Sequence, residues 1–133
     1  PLYVTENGTS LPDAPGSDGE VHDPARLRYL ARHMAAAHEA IREGVDLRGY
    51  IHWSTWDNFE WHLGPTYRFG LVQVNLDTCD RTVTEAGLFY ERLVRERPED
   101  PRSVAVISVP HTVRCLPPLY GHVDFRARRR LGG

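Results

Sequence analysis

The sequence is poor in cysteine, and neither sign of charge is in strong excess. Its 133 residues include two cysteines, Cys79 and Cys115, which lie far apart and outside any CxxC pattern. Two separated thiols exclude a disulfide scaffold and a structural zinc site of the zinc-finger type. They favour a reducing compartment, so the expected location is cytoplasmic.

Long apolar runs are also missing. No run approaches the roughly 20 apolar residues that a membrane span needs. The formal net charge is −2, which gives no electrostatic argument for nucleic acid as the main partner. No cluster of residues with metal-ligand spacing stands out, and neither a metal nor another cofactor is expected. The composition therefore indicates one modest globular domain without a nucleic-acid or membrane partner.

The first fifty residues have the pattern of two strands joined by a helix. Residues 2–5 form a short β-prone run that ends at the turn signal Asn7-Gly8. Residues 9–22 are rich in Pro, Gly, Ser and Asp, which is typical of an exposed loop. A second β-prone run covers residues 45–54. A strand, a helix and a strand in this order predict a βαβ unit with parallel strands.

The predicted helix between these strands has clear start and stop signals. Asp23 is the expected N-cap, Pro24 occupies the first helical position, and Gly44 follows the last turn. Apolar residues recur at spacings of three and four, which predicts one buried stripe: Leu27, Leu30, Met34, Ala37 and Ile41.

The pattern continues with a long aromatic loop and a second helix. Residues 55–65 form the loop, and "RFGLVQV" predicts a short additional strand. Thr82 and Glu85 have capping-box spacing, so a helix is expected from there to about Arg97. The order β-α-β-loop-α corresponds to about a quarter of a (β/α)₈ barrel, whose full size is roughly 250 residues.

The sequence changes character at Pro98. Prolines are scattered, one apolar run covers residues 104–109, and the end is basic. We expect residues 1–97 to be the barrel part and residues 98–133 a tail. A poorly ordered tail is favoured, and a final strand or an ordered extension is the alternative.

Candidate functional groups lie where the two predicted strands end. In a barrel the carboxyl ends of the strands meet at one mouth, which would bring Glu6 and Trp53 together. His52 precedes Trp53 on the strand and is expected to point away and pack. The segment "WSTWDNFEW" contains all three tryptophans. Its aromatic rings could stack on sugar faces (Trp53, Trp56, Phe59, Trp61), and its polar groups could bind hydroxyls (Asp57, Asn58, Glu60).

These motifs resemble one known family. "YVTENG" and "GYIHWSTWDNFEWHLGPTYRFGLVQVNLDT" are similar to the C-terminal part of glycoside hydrolase family 1, the β-glucosidase family. The resemblance covers roughly residues 1–95. It implies an α/β fold, with the chain forming about strands 7–8 and helices 7–8 of a (β/α)₈ TIM barrel. It also implies a retaining reaction on a small-molecule β-glycoside, without a cofactor.

The resemblance also implies a role for five residues. Glu6 in "TENG" matches the catalytic nucleophile, and Trp53 matches the residue that stacks on the sugar. Glu60 matches the carboxylate that accepts hydrogen bonds from the 4- and 6-hydroxyls. Trp61 matches an indole donor to the 3-hydroxyl, and Phe69 matches a wall of the pocket. Because the 6-phosphoglycosidase branch lacks the equivalent of Glu60, a non-phosphorylated glycoside is expected.

Half of the family's catalytic pair is missing from the sequence. The acid/base carboxylate lies in an Asn-Glu-Pro stretch in the family, and no such stretch occurs in these 133 residues. We therefore expect a truncated chain that is unstable or misassembled, and inactive, by itself. A sugar-binding protein without catalysis and a non-functional truncated product are the alternatives. The preferred sugar, the aglycone and the oligomeric state stay open.

Overall fold

Five strands and two long helices make up the described part of the chain. The computed structural model describes residues 1–96 and the short strand at 105–106. The elements are β1 (Leu2–Asn7), α1 (Pro24–Arg42), β2 (Leu47–His52), β3 (Val72–Val74), β4 (Arg81–Val83), α2 (Glu85–Arg95) and β5 (Ala105–Val106). The expectations for the rest of the tail lie outside the described residues. Among the residues described, no helix is long and apolar enough to cross a membrane.

The predicted βαβ unit is confirmed. β1 and β2 are parallel, with Tyr3 opposite Gly49 and Asn7 opposite His52. The sheet order is β1-β2-β5, so β2 is the central strand. A hydrogen bond from the Trp53 amide to the Asn7 carbonyl, 2.9 Å long, joins the carboxyl ends of β1 and β2. The two strand ends that carry the candidate functional groups therefore lie side by side.

Helix α1 covers the sheet with the predicted apolar stripe. Leu30 is fully buried in a cluster with Tyr50, Ala86 and Tyr90, and Leu27, Met34 and Ala37 pack against this cluster. Ile41 is half-buried and lies outside the cluster.

The predicted end of α1 is also confirmed. Gly44 has φ +98°, and its amide bonds the Ile41 carbonyl while the Val45 amide bonds the Ala40 carbonyl. This is the Schellman arrangement, in which a residue with positive φ satisfies the last helical carbonyls.

Two local predictions are wrong because nearby structure overrides the turn and cap signals. β1 ends at Asn7, as predicted, but no turn follows at Gly8. Thr82 does not cap α2, since it belongs to β4, which pairs antiparallel with β3. The N-cap of α2 is Thr84, whose Oγ1 accepts a hydrogen bond from the Gly87 amide at 3.0 Å. The additional strand predicted in "RFGLVQV" is confirmed as β3.

The N-cap prediction for Asp23 is correct in position and wrong in the bonds made. Asp23 precedes α1, but its side chain makes no capping hydrogen bond to that helix. Instead, Asp23 Oδ1 accepts a hydrogen bond from the Ala86 amide in the first turn of α2, at 2.8 Å. A carboxylate is favourable at a helix N-terminus because unpaired amides and the helix dipole both attract it. Asp23 thus joins the starts of the two helices.

Arg26 completes a buried ionic cluster with Asp23. Its Nη1 lies 2.7 Å from Asp23 Oδ2, and its Nη2 lies 2.9 Å from Asp13 Oδ2. Nη2 also donates to the Arg68 carbonyl at 2.9 Å. Arg26 is 1% exposed and Asp23 is fully buried. The prediction of an exposed loop over residues 9–22 is therefore only partly right, because this loop supplies Asp13 to the cluster and contains buried Val21.

His52 lies in the core, as expected for a packing residue. It is 5% exposed, and its ring centroid lies 6.0 Å from that of Tyr90. Its Nε2 lies 3.4 Å from the Phe69 carbonyl. Burial lowers the pKa of His52 to about 4, because the charged imidazolium would lose its hydration.

We predict that Arg26→Met removes most of the chain's helical structure. The substitution leaves the Asp23 carboxylate buried without its cation, which typically costs about 3–5 kcal/mol. That cost is comparable to the whole stability of a small domain. The measurement is the helical circular dichroism signal at 25 °C and its urea dependence. Exposed Arg28, changed to Met, is the matched control, and an unchanged signal and urea midpoint for Arg26→Met would contradict the structural role.

We also predict that His52 makes the fold less stable as the pH falls. The unfolded chain binds a proton near pH 6.5 while the folded chain does so near 4, so stability decreases across that interval. The gap corresponds to roughly 3 kcal/mol. An NMR titration should place the His52 midpoint well below that of His22, whose pKa its hydrogen bond to Asp18 raises. His52→Gln should weaken the pH dependence of unfolding between 6.5 and 4, and His22→Gln should leave that interval unchanged. A His52 titration midpoint near pH 6.5 would contradict the prediction.

Candidate active site

Glu6 and Trp53 lie at the adjoining ends of β1 and β2. The Asn7 carbonyl, one residue after Glu6, accepts the Trp53 amide at 2.9 Å. The Tyr50 hydroxyl donates to the Asn7 side-chain oxygen. A Cβ placed on Gly8 would lie 1.7 Å from the Trp53 carbonyl oxygen. The glycine after Asn7 therefore serves the close approach of the two strand ends, and the Glu6 side chain is exposed beside them.

Ser54 brings the Phe69 segment to the same place. The Ser54 amide bonds the Phe69 carbonyl at 3.3 Å, and the Leu71 amide bonds the Ser54 carbonyl at 3.0 Å. These bonds extend from the end of β2 into the segment before β3. Phe69 is half-buried. Three predicted site residues, Glu6, Trp53 and Phe69, are thus held by one continuous set of backbone contacts.

Asp57 holds the aromatic loop, and the expectation that it binds a sugar hydroxyl is wrong. Its Oδ2 lies 2.6 Å from Arg68 Nη1 and accepts the Val74 amide at 3.1 Å. Its Oδ1 accepts the Gly70 amide at 3.1 Å. The side chain is 4% exposed. With three donors bound and little exposure, this carboxylate fastens the loop to β3.

Glu60 is oriented by Asn58. The Asn58 Nδ2 donates to Glu60 Oε2 at 2.7 Å, and Asn58 Oδ1 lies 3.2 Å from the Ser54 hydroxyl. The Glu60 amide bonds the Gly64 carbonyl at 2.9 Å, which closes a tight loop. Asn58 was expected to bind a hydroxyl; here it connects the predicted sugar-binding carboxylate to the residue after Trp53.

The remaining aromatic residues of the loop have different environments. Trp61 is 82% exposed and has φ +44°, in a 3₁₀ turn, Trp61–Leu63. Phe59 is 73% exposed. The Trp56 ring lies 5.5 Å from the guanidinium carbon of Arg81, a cation–π contact within the chain. Trp61 and Phe59 are thus available to a ligand, while Trp56 packs within its own chain.

The site is an open surface of carboxylates and aromatic rings. A cavity of about 240 Å³ lies elsewhere, between β3 and α2, and Val72, Tyr90 and Val94 line part of it. Within the described residues, no group of three or more His, Cys, Asp or Glu side chains is placed to hold a metal ion. The described groups can stack on a sugar ring, accept hydroxyl hydrogen bonds and present one carboxylate as a nucleophile.

Sequence reasoning missed the residues that act through others. The Asp57–Arg68 pair joins residues eleven apart across a loop, and no periodic pattern signals it. The Asp23–Arg26 pair has helical i, i+3 spacing, which was a usable signal. The sequence does not predict the burial of this pair or its bond to α2, because both depend on contacts between distant segments.

Comparison with known proteins identifies the family. The family model described as glycosyl hydrolase family 1 matches residues 1–99. The chain is 46% identical over 94 residues to β-glucosidase A of Thermotoga maritima, covering 71% of this chain and 21% of that protein. It is 40% identical over 94 residues to β-glucosidase A of Acetivibrio thermocellus, with the same two coverages. The chain thus spans about a fifth of the length of these curated relatives.

Solved structures give the same result. A family 1 β-glucosidase from Thermotoga maritima aligns with TM-score 0.69 and 46% identity over 70% of this chain and 21% of that chain. A psychrophilic β-glucosidase from Micrococcus antarcticus aligns with TM-score 0.70 and 44% identity over 71% of this chain and 20% of that chain. Because the family model covers most of the sequence and the matched segment has the same fold, the chain belongs to glycosyl hydrolase family 1.

Proposed function

We propose that the chain is the C-terminal part of a retaining β-glucosidase whose nucleophile is Glu6. β1 and β2 correspond to the seventh and eighth strands of a (β/α)₈ barrel, and α1 and α2 to the helices that follow them. The observation that carries the proposal is the pairing of β1 with β2, which sets Glu6 beside Trp53 at the carboxyl ends of parallel strands. In barrel enzymes catalytic groups lie at that end.

The proposed reaction uses two carboxylates in turn. A Glu6 oxygen attacks the anomeric carbon and forms a glycosyl ester as the glycosidic bond breaks. A second carboxyl group protonates the departing oxygen and later takes a proton from the water that cleaves the ester. The two groups stand roughly 5–5.5 Å apart in retaining enzymes. Two displacements at one carbon retain its configuration.

The sugar would be held by the groups around Glu6. Trp53 stacks on the ring, Phe69 forms a wall, Trp61 donates from its indole nitrogen, and Glu60 accepts hydroxyl hydrogen bonds. The bond from Asn58 supports the role of Glu60, because it fixes one carboxylate oxygen and leaves the other available for a ligand. A carboxylate at this position repels a phosphate, so the proposed substrate is a non-phosphorylated β-glycoside.

Ligand complexes of a related enzyme support a site for small sugar-like ligands. The Thermotoga maritima enzyme has been solved with castanospermine and with deoxynojirimycin. The chain aligns with that enzyme at 46% identity. We therefore propose a small-molecule glycoside as the ligand of the complete site.

The second carboxyl group must come from the rest of the barrel. The sequence has no Asn-Glu-Pro stretch, and the described carboxylates near Glu6 have other roles: Asp57 is bonded to three donors and Glu60 to Asn58. The 133-residue chain by itself should therefore hydrolyse no glycoside. The complete barrel should.

We predict that Glu6→Gln abolishes hydrolysis in a completed barrel. Residues 1–97 would replace the matched segment of Thermotoga maritima β-glucosidase A, and hydrolysis of 4-nitrophenyl β-glucoside would be measured. Removing the nucleophile should lower kcat by roughly 10³-fold or more. In the barrel that keeps Glu6, a 2-fluoro-glycoside should accumulate as the ester. The mass of its sugar should then be found on the peptide containing Glu6.

Glu20→Gln is the matched control, because Glu20 is an exposed carboxylate in the loop after β1. It should leave kcat unchanged. A barrel that stays active with Glu6→Gln would reject the nucleophile assignment. Glucoside binding without turnover by the completed barrel would instead favour a sugar-binding protein.

A further inference from the structure

The tail of the chain contributes a strand to the sheet formed by β1 and β2. β5 pairs parallel with β2, with Gly49 opposite Ala105 and Tyr50 opposite Val106. β5 lies on the side of β2 away from β1, since the sheet order is β1-β2-β5. The family match ends at residue 99. A segment beyond the matched residues therefore pairs with a strand inside them.

In a closed barrel, a different strand would pair with the edge of β2 that β5 occupies. Every strand of a (β/α)₈ barrel has two parallel neighbours. If β1 and β2 are the seventh and eighth strands, as proposed above, the second neighbour of β2 is the first strand of the barrel. One strand edge can pair with one partner at a time.

We propose that β5 is an internal cap on β2, which competes with the first strand of a (β/α)₈ barrel for the same edge. The partner that fits this edge is a parallel strand of the remaining barrel. The cap shields an edge that would otherwise be free to pair with other chains.

The short connection favours this cap, and the short strand keeps it reversible. Residues 96–104 join α2 to β5, and a short connection of this kind gives an effective concentration on the order of millimolar. β5 itself has only two residues. A longer barrel strand that also brings its packing surface can displace it. Because only chains with a free edge can bind, the apparent affinity for the remaining barrel equals the intrinsic affinity multiplied by the fraction of chains whose edge is free.

The pairing itself is tested by a disulfide. Paired Cα atoms on neighbouring strands lie about 4.8 Å apart, within the span of a disulfide. With Cys79→Ser and Cys115→Ser in the background, Gly49→Cys combined with Ala105→Cys should crosslink within one chain under mild oxidation. Gly49→Cys combined with Arg28→Cys, on the exposed face of α1, is the control and should crosslink much less. Equal crosslinking of both pairs, or none of the first, overturns the cap. This readout does not depend on catalysis.

The competition is tested by binding to the remaining barrel. The probe is the Thermotoga maritima β-glucosidase A polypeptide without its matched segment, and association is followed by tryptophan fluorescence and sedimentation. Val106→Pro removes an amide that a strand needs, and it should raise the apparent affinity by roughly fivefold or more. Val106→Thr keeps the amide and a β-branched side chain, and it should bind like the unchanged chain.

Equal affinity of the three chains, or no binding by any of them, overturns the competition. If Val106→Pro binds more tightly but the complex does not hydrolyse glucosides, the competition stands and the proposed function fails. If the complex is active and Val106→Pro gives no gain, the proposed function stands and the cap is wrong.

Discussion

The buried guanidinium of Arg26 is the contact on which the other elements depend. It joins α1, on which it lies, to Asp13 in the preceding loop and to the Arg68 carbonyl before β3. Through Asp23 it also reaches the first turn of α2. A charged group almost free of solvent is tolerated only because its partners are present. Packing of both helices and of the Arg68–Phe69 segment is therefore a single coupled arrangement.

The Asp57 carboxylate holds the aromatic loop in place, as Arg26 holds the two helices. By binding Arg68 and the amides of Gly70 and Val74, it closes the loop onto β3. Arg68 links the two networks, since its carbonyl accepts from Arg26 and its guanidinium bonds Asp57. Two of the candidate sugar-binding residues, Glu60 and Trp61, thus lie on a loop whose base is fixed from two sides, and Trp61 is exposed.

In the proposed barrel, the exposed surface around Glu6 is one side of a larger site. Parallel strands bring Glu6, Trp53 and the Phe69 segment together without any further part of a barrel. An exposed carboxylate and an exposed indole have the chemistry to bind a sugar but do not enclose it. Under the proposed function, enclosure, desolvation and a second carboxyl group come from the opposite side of a complete barrel.

The sequence by itself determined the family, the order β1-α1-β2-β3-α2, and both ends of α1. These follow from local signals: apolar periodicity, a proline at the first helical position, a glycine after the last turn, and short motifs in a fixed order. Tertiary structure decided that Thr84 rather than Thr82 caps α2, because residues 81–83 pair with β3. It also decided that Asp57 is structural, that Asn58 orients Glu60, and that Asp23 serves α2 instead of α1. A side chain's role there depends on which distant amides and cations come within reach, and no local pattern encodes that distance.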